Sequence, residues 1–214
     1  MLGLTLLGGC TGVSVPTPLI ADSSPAVTPS PSPVPLSLLT PQAERCAGGR
    51  LRVGDLAVVA NEWGAGVQTA IEAALAWRPD ARLVTMQVAC APLEAGFRWQ
   101  GTFYSQTAQS FFSSDTGLSQ PAEVDPASVP ILPLDEIDFS RLHQVLIDAG
   151  YSEAAELNPA SGATVRLNAP GNPFGPPGTP QGLIYHVAIV DESSVQDVFI
   201  SSPDWVIHTY QDRD

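Results

Sequence analysis

The stretch VQTAIEAALAWRPDARLVTMQVACAPLEAGFRWQGTFYS, residues 67–105, contains the change of period that decides the fold. From Val67 to Trp77, the residues Val67, Ile71, Ala74 and Leu75 recur at helical spacing, and Pro79-Asp80 ends the run. Arg82 to Cys90 then reads as a strand. Phe97 to Ser105 reads as a second, with Phe97, Trp99 and Phe103 alternating onto one face. Ala91 to Gly96 between them is turn-like, so the two strands form a hairpin, and Ser110 to Ser113 is placed beside it as a third. Gly64-Ala65-Gly66, just before the helix, reads as a turn.

Working outward, Gln120 to Pro133 is rich in Pro, Asp and Ser and lacks periodicity, the signature of a linker. After it the order recurs. Asp138 is placed as the N-cap of a helix through Asp148, with Phe139, Leu142, Val145 and Leu146 on one side and Gly150 at the stop. Strands follow at Thr164–Asn168, Leu183–Asp191, Val195–Ile200 and Trp205–Thr209. Leu183 to Val190 is apolar on both faces, which places it centrally in the sheet. The expectation is an α+β fold, with helices across an antiparallel sheet that bury Ile71, Leu75, Leu142 and Leu146.

This arrangement resembles the tandem PepSY-like domains of secreted and membrane-anchored bacterial proteins. The resemblance rests on the Ala70–Leu83 helix running through Trp77-Arg78-Pro79-Asp80-Ala81 into a strand, and on Trp99-Gln100-Gly101-Thr102-Phe103-Tyr104. In the second half it rests on Ile137-Asp138-Phe139-Ser140 and on Leu183 to Val190. It implies two helix-plus-antiparallel-sheet units, at 46–119 and 134–214, joined by a linker at 120–133. It also implies a binding or protease-modulating role without catalysis.

The start of the chain carries a second resemblance. Leu7-Gly8-Gly9-Cys10 looks like the lipobox of bacterial lipoproteins, which implies lipid on Cys10, cleavage before it and tethering on the extracytoplasmic side of a membrane. Residues 1–9 then read as a signal peptide shortened at its start, since they contain no Lys or Arg. Residues 10–45, dense in Pro, Ser and Thr, read as an extended, disordered spacer; polyproline II geometry gains about 3.1 Å per residue. With Cys10 assigned to lipid, Cys46 and Cys90 remain as a disulfide pair suited to an oxidising compartment, or as two buried thiols.

Composition narrows the partners. The net charge is −13, and the nine basic residues are scattered arginines, which argues against nucleic acid. No nucleophile elbow, His-Glu-x-x-His, Cys-x-x-Cys or phosphate-cradling glycine motif is present, so no catalytic residue, metal or cofactor is assigned. His143 reads as a helix-boundary residue. His186 and His208 lie on strands that become neighbours if those strands pair. Asp135, Glu136 and Asp138 suit a helix N-terminus, and Asp191-Glu192 a hairpin turn. The loop Pro170–Gly182 (PGNPFGPPGTPQG) either presents Phe174 to a partner or is a tolerated insertion. The expected function is a membrane-anchored, non-catalytic module that contacts a protein or peptide. The alternatives are an envelope hydrolase with a scattered site and a structural envelope component.

Overall fold

Backbone bonds from distant parts of the chain set the start of the first helix. The N–H groups of Val53 and Gly54 donate to the carbonyls of Ala155 and Glu153, at 2.9 and 3.0 Å, and the Arg52 N–H donates to an Asp55 carboxylate oxygen at 2.9 Å. The helix α1 therefore spans Asp55–Trp77 and does not begin at Val67. The computed structural model describes residues 46–91, 96–190 and 194–210. Cys10, the Pro-rich segment, most of the Ala91–Gly96 link and Asp191-Glu192 lie outside the described residues.

Gly64-Ala65-Gly66 is helical, which corrects the turn reading. A glycine in a helix interior costs about 1 kcal/mol relative to alanine, yet burial of Leu56, Val59 and Val67 outweighs it here. Gly66 also has a packing role, because a Cβ at that position would meet the Trp99 indole at 2.1 Å. The helix meets the sheet on a face one step round from the one expected. Val67, Ala70 and Ala74 are buried and Ile71 packs partly against the core, while Leu75 is 46% exposed.

The strands are β1 (Arg82–Cys90), β2 (Phe97–Ser105), β3 (Ser110–Ser113) and β4 (Ser119–Pro121), then β5 (Glu156–Leu157), β6 (Ala163–Asn168), β7 (Gly182–Val190), β8 (Val195–Ser202) and β9 (Val206–Tyr210). Alternation did not reveal β4 and β5, which are too short to carry a period. Helix α2 spans Phe139–Asp148. Asp138 caps it, an Oδ1 oxygen accepting the Arg141 N–H at 2.9 Å, and Gly150 adopts φ 94° beyond its end. The class is α+β, and every strand pair is antiparallel.

One sheet runs β4-β3-β2-β1-β6-β7-β8-β9, with β5 paired to β7. Each helix is thus followed by a meander of four strands, and the meanders join through the first strand of each, β1 and β6. Both helices pack on one face. There Met86, Val88, Phe103, Val165, Tyr185, Val187, Val198 and Ile200 meet Leu56, Val59, Leu142 and Leu146, all almost wholly buried. An aromatic seam, Phe97–Trp99–Trp63–Phe139–Tyr185–Trp205, crosses this core with successive ring centroids 6.2, 5.8, 5.2, 5.9 and 5.3 Å apart. Burial raises the Tyr185 phenol's pKa well above its ordinary value, and the hydroxyl accepts the Asp138 N–H at 2.7 Å, tying β7 to the start of α2. Cys46 and Cys90 form a disulfide, with Cα atoms 5.6 Å apart. It staples the first described residue to the end of β1. Among the described residues, no helix is long and apolar enough to cross a membrane.

Candidate functional site

Strand alternation sends half of the sheet's side chains away from the helices. From β1 to β9, the other face carries Thr85, Thr102, Phe111, Arg166, Asn168, Ile184, His186, Asp197, Phe199, Ser201 and His208. Two irregular segments cross it. Beyond the β1–β6 ladder, which uses Thr85–Val88 of β1, the Leu83 carbonyl accepts the Leu132 N–H at 2.8 Å, so the connection leading to α2 runs beside β1. The second segment is the Pro170–Gly182 loop between β6 and β7.

That loop is folded down onto the sheet. Asn168, only 4% exposed, holds it from beneath. Its Oδ1 accepts the Phe174 N–H at 2.5 Å, and its Nδ2 donates to the carbonyls of Thr179 and Pro180 at 3.2 and 2.7 Å. The Phe174 ring meets His186 and Phe199 edge-on, with centroids 6.1 and 5.8 Å away, and the Arg166 guanidinium lies over it at 4.9 Å. Phe174 is half-buried, one side of its ring held by the sheet.

The loop separates two of the hollows on the open face. One, of about 340 Å³, lies against β7 and β8 and is lined by Phe174–Pro177, His186, Asp197 and Phe199. The His186 imidazole stacks on Phe199 at 4.5 Å, and its Nε2 is 2.5 Å from Asp197 Oδ1. The other, of about 670 Å³, lies over β1, β2, β3 and β6, between Pro170–Asn172 and the connection to α2. Its walls include Val84, Phe111, Val129 and Pro130, with hydroxyls from Thr85, Thr102 and Ser128 and the guanidinium of Arg166. Val84 is the extra residue where β1 slips register between Leu83 and Thr85.

The residues singled out by sequence fall in different places. His186 and His208 lie on the same face of β7 and β9, with Phe199 of β8 paired to both, and each takes its own partner; His208 Nε2 is 3.2 Å from Ser201 Oγ. His143 Nε2 lies 3.3 Å from a Glu153 carboxylate oxygen on the helix side, remote from the open face. Asp138 caps α2. No hydroxyl or thiol lines the hollow that holds His186 and Asp197, among the described residues. Ser201 is committed to His208, so no serine joins the His186–Asp197 pair as a nucleophile would.

Arg166 and Asn168 were not singled out by sequence, and both turn out to organise the face. The available signal was weak: an arginine and an asparagine at alternate positions of a strand, directly before a Pro- and Gly-rich loop. Burial lowers the pKa of the Arg166 guanidinium from its ordinary value. Its Nη2 donates to Asn172 Oδ1 at 3.2 Å, and its Nε is buried without a hydrogen-bond partner. Searches against known protein families, curated proteins and solved structures found no match to this chain.

Proposed function

We propose that the chain is an extracytoplasmic lipoprotein, tethered through lipid on Cys10, whose open sheet face binds a partner molecule without turning it over. The observation that carries this reading is the contrast between the two faces. One is closed by α1 and α2, while the other carries hollows, two of them of about 340 and 670 Å³, lined by apolar side chains interspersed with polar groups. Hollows of that size and lining suit ligand recognition. The Cys46–Cys90 disulfide fits an oxidising compartment, and the Leu7-Gly8-Gly9-Cys10 run followed by a Pro-rich spacer fits a tether. The two helix-plus-meander halves are read as tandem PepSY-like units meeting at β1 and β6.

A second reading has one observation in its favour: a His–Asp pair in a hollow, His186 with Asp197, is the kind of group a hydrolase uses as a base. Two measurements separate the readings. With a complete export signal placed ahead of it, the chain should partition into detergent and incorporate labelled palmitate, and Cys10→Ser should abolish both; label retained in Cys10→Ser removes the anchor. The purified protein should show no turnover of esterase, peptidase, glycosidase or phosphatase substrates. Reproducible turnover lost in His186→Ala would replace binding by catalysis.

A further inference from the structure

We propose that the hollow over β1, β2, β3 and β6 binds an amphiphile with a single negative headgroup, carboxylate or phosphate, on an apolar body, and that Arg166 receives the headgroup. This deepens the reading of the open face as a binding surface and rests on it.

The charge pattern of the hollow carries the argument. The chain holds 22 acidic residues against nine arginines, so a carboxylate is the expected partner of a buried arginine. Arg50 pairs with Glu156, and Arg98 approaches Asp115 at 4.0 Å. Arg166 is different. Among the residues lining the hollow it alone is charged, and no carboxylate among the described residues pairs with it. Its place on the open face is fixed from two sides, by the Phe174 ring and by Asn172. A partly desolvated cation without a counter-charge is costly, and the ring face offsets only part of that cost. An anion arriving in the hollow would supply the rest, because guanidinium donors match the oxygens of a carboxylate or phosphate.

The remaining walls define the body of the ligand. Val84, Phe111, Val129 and Pro130 present apolar surface, and Thr85, Thr102 and Ser128 add hydroxyls without charge. One cation matches one anionic headgroup, and about 670 Å³ accepts an apolar body of drug-like size. A bare inorganic anion would leave those apolar walls wet.

Isothermal titration of the full chain with decanoate, decyl phosphate and decanol tests the proposal. At least one anion should bind, at least about tenfold more tightly than decanol, the scale of one charge-assisted hydrogen bond. The tighter of the two anions identifies the headgroup. Arg166→Gln should weaken that anion by about tenfold or more while leaving decanol unchanged. Ser128→Trp, at an exposed position on the rim, should block both anions with Arg166 intact, and it decides the matter if Arg166→Gln does not fold. Absence of binding by both anions, equal binding of decanol, or unchanged affinity in a folded variant overturns the proposal. Such a failure would leave the open face itself to be judged by whether a partner contacts it in the cell.

Discussion

Replacing Asn168 with alanine should destabilise the protein by about 2–3 kcal/mol and release the Pro170–Gly182 loop from the sheet. The Asn168 amide makes three hydrogen bonds to loop backbone, at 2.5, 2.7 and 3.2 Å. A typical intramolecular hydrogen bond contributes about 0.5–1.5 kcal/mol net, so three bracket a range of about 1.5–4.5 kcal/mol. The loop groups lie near the surface and regain water when the side chain is lost, which argues against the upper end. Asn168→Asp sharpens the test. It keeps the shape but replaces the donor to Pro180 and Thr179 with a carboxylate oxygen facing two carbonyl oxygens, at a site only 4% exposed. The aspartate variant should therefore be less stable than the alanine variant at neutral pH and recover part of the difference when acidified, as its carboxyl takes up a proton and donates again. Urea denaturation gives the free energies, and limited proteolysis reports the loop. A loss below about 0.5 kcal/mol in Asn168→Ala, or a loop as resistant to cleavage as before, would refute the account of how the loop is held.

Other outcomes follow from the same geometry. Gly66→Ala should cost about 1–2 kcal/mol in spite of alanine's better helix propensity, since its Cβ would meet Trp99 at 2.1 Å; Gly64→Ala, with nothing within 4 Å, should instead gain about 0.5–1 kcal/mol, and equal melting shifts would contradict the packing argument. Removing both Cys46 and Cys90 should cost about 4 kcal/mol on the chain-entropy scale for a separation of 44 residues, and non-reducing peptide mapping should recover the two joined; free alkylation of both would exclude the bond. Asp80 accepts the Thr107 N–H and the Ser105 hydroxyl, each at 2.8 Å, and these bonds hold its carboxyl at about 2, below the ordinary 3.8. The stability it contributes is therefore complete above pH 3.8 and lost as pH falls through about 2. Asp80→Asn should melt lower than the parent at pH 7 and alike below pH 2, whereas a difference constant with pH would show that the charge is irrelevant.

Much of the fold was legible because local and global signals agreed. Strands β1 and β2 and helix α2 fall where alternation, helical spacing and the Asp138 cap put them. The sequence signals failed where tertiary packing overrode local preference. Gly64 and Gly66 read as a turn, yet they lie inside α1 because burial of Leu56, Val59 and Val67 outweighs the glycines' helix penalty, and at Gly66 the Trp99 indole fills the place of a side chain. Leu75 was expected inside by its period, but the helix seats Val67, Ala70 and Ala74 against the core and leaves Leu75 at its margin. The open face was less legible still. Phe174 stood out by its proline and glycine neighbours, whereas Arg166 and Asn168 gain their roles only once the loop folds back over β6. No linear spacing records that return.

The most direct test of the open face as the binding surface is site-specific photo-crosslinking of the full-length protein in the cells that produce it. One photoreactive side chain replaces Val124, 43% exposed at the rim of the larger hollow, and another replaces Gln68, exposed on the outer side of α1. A defined adduct from position 124 and none from position 68 is the predicted result. Adducts from position 68 alone, or equally from both, would contradict the assignment of the open face.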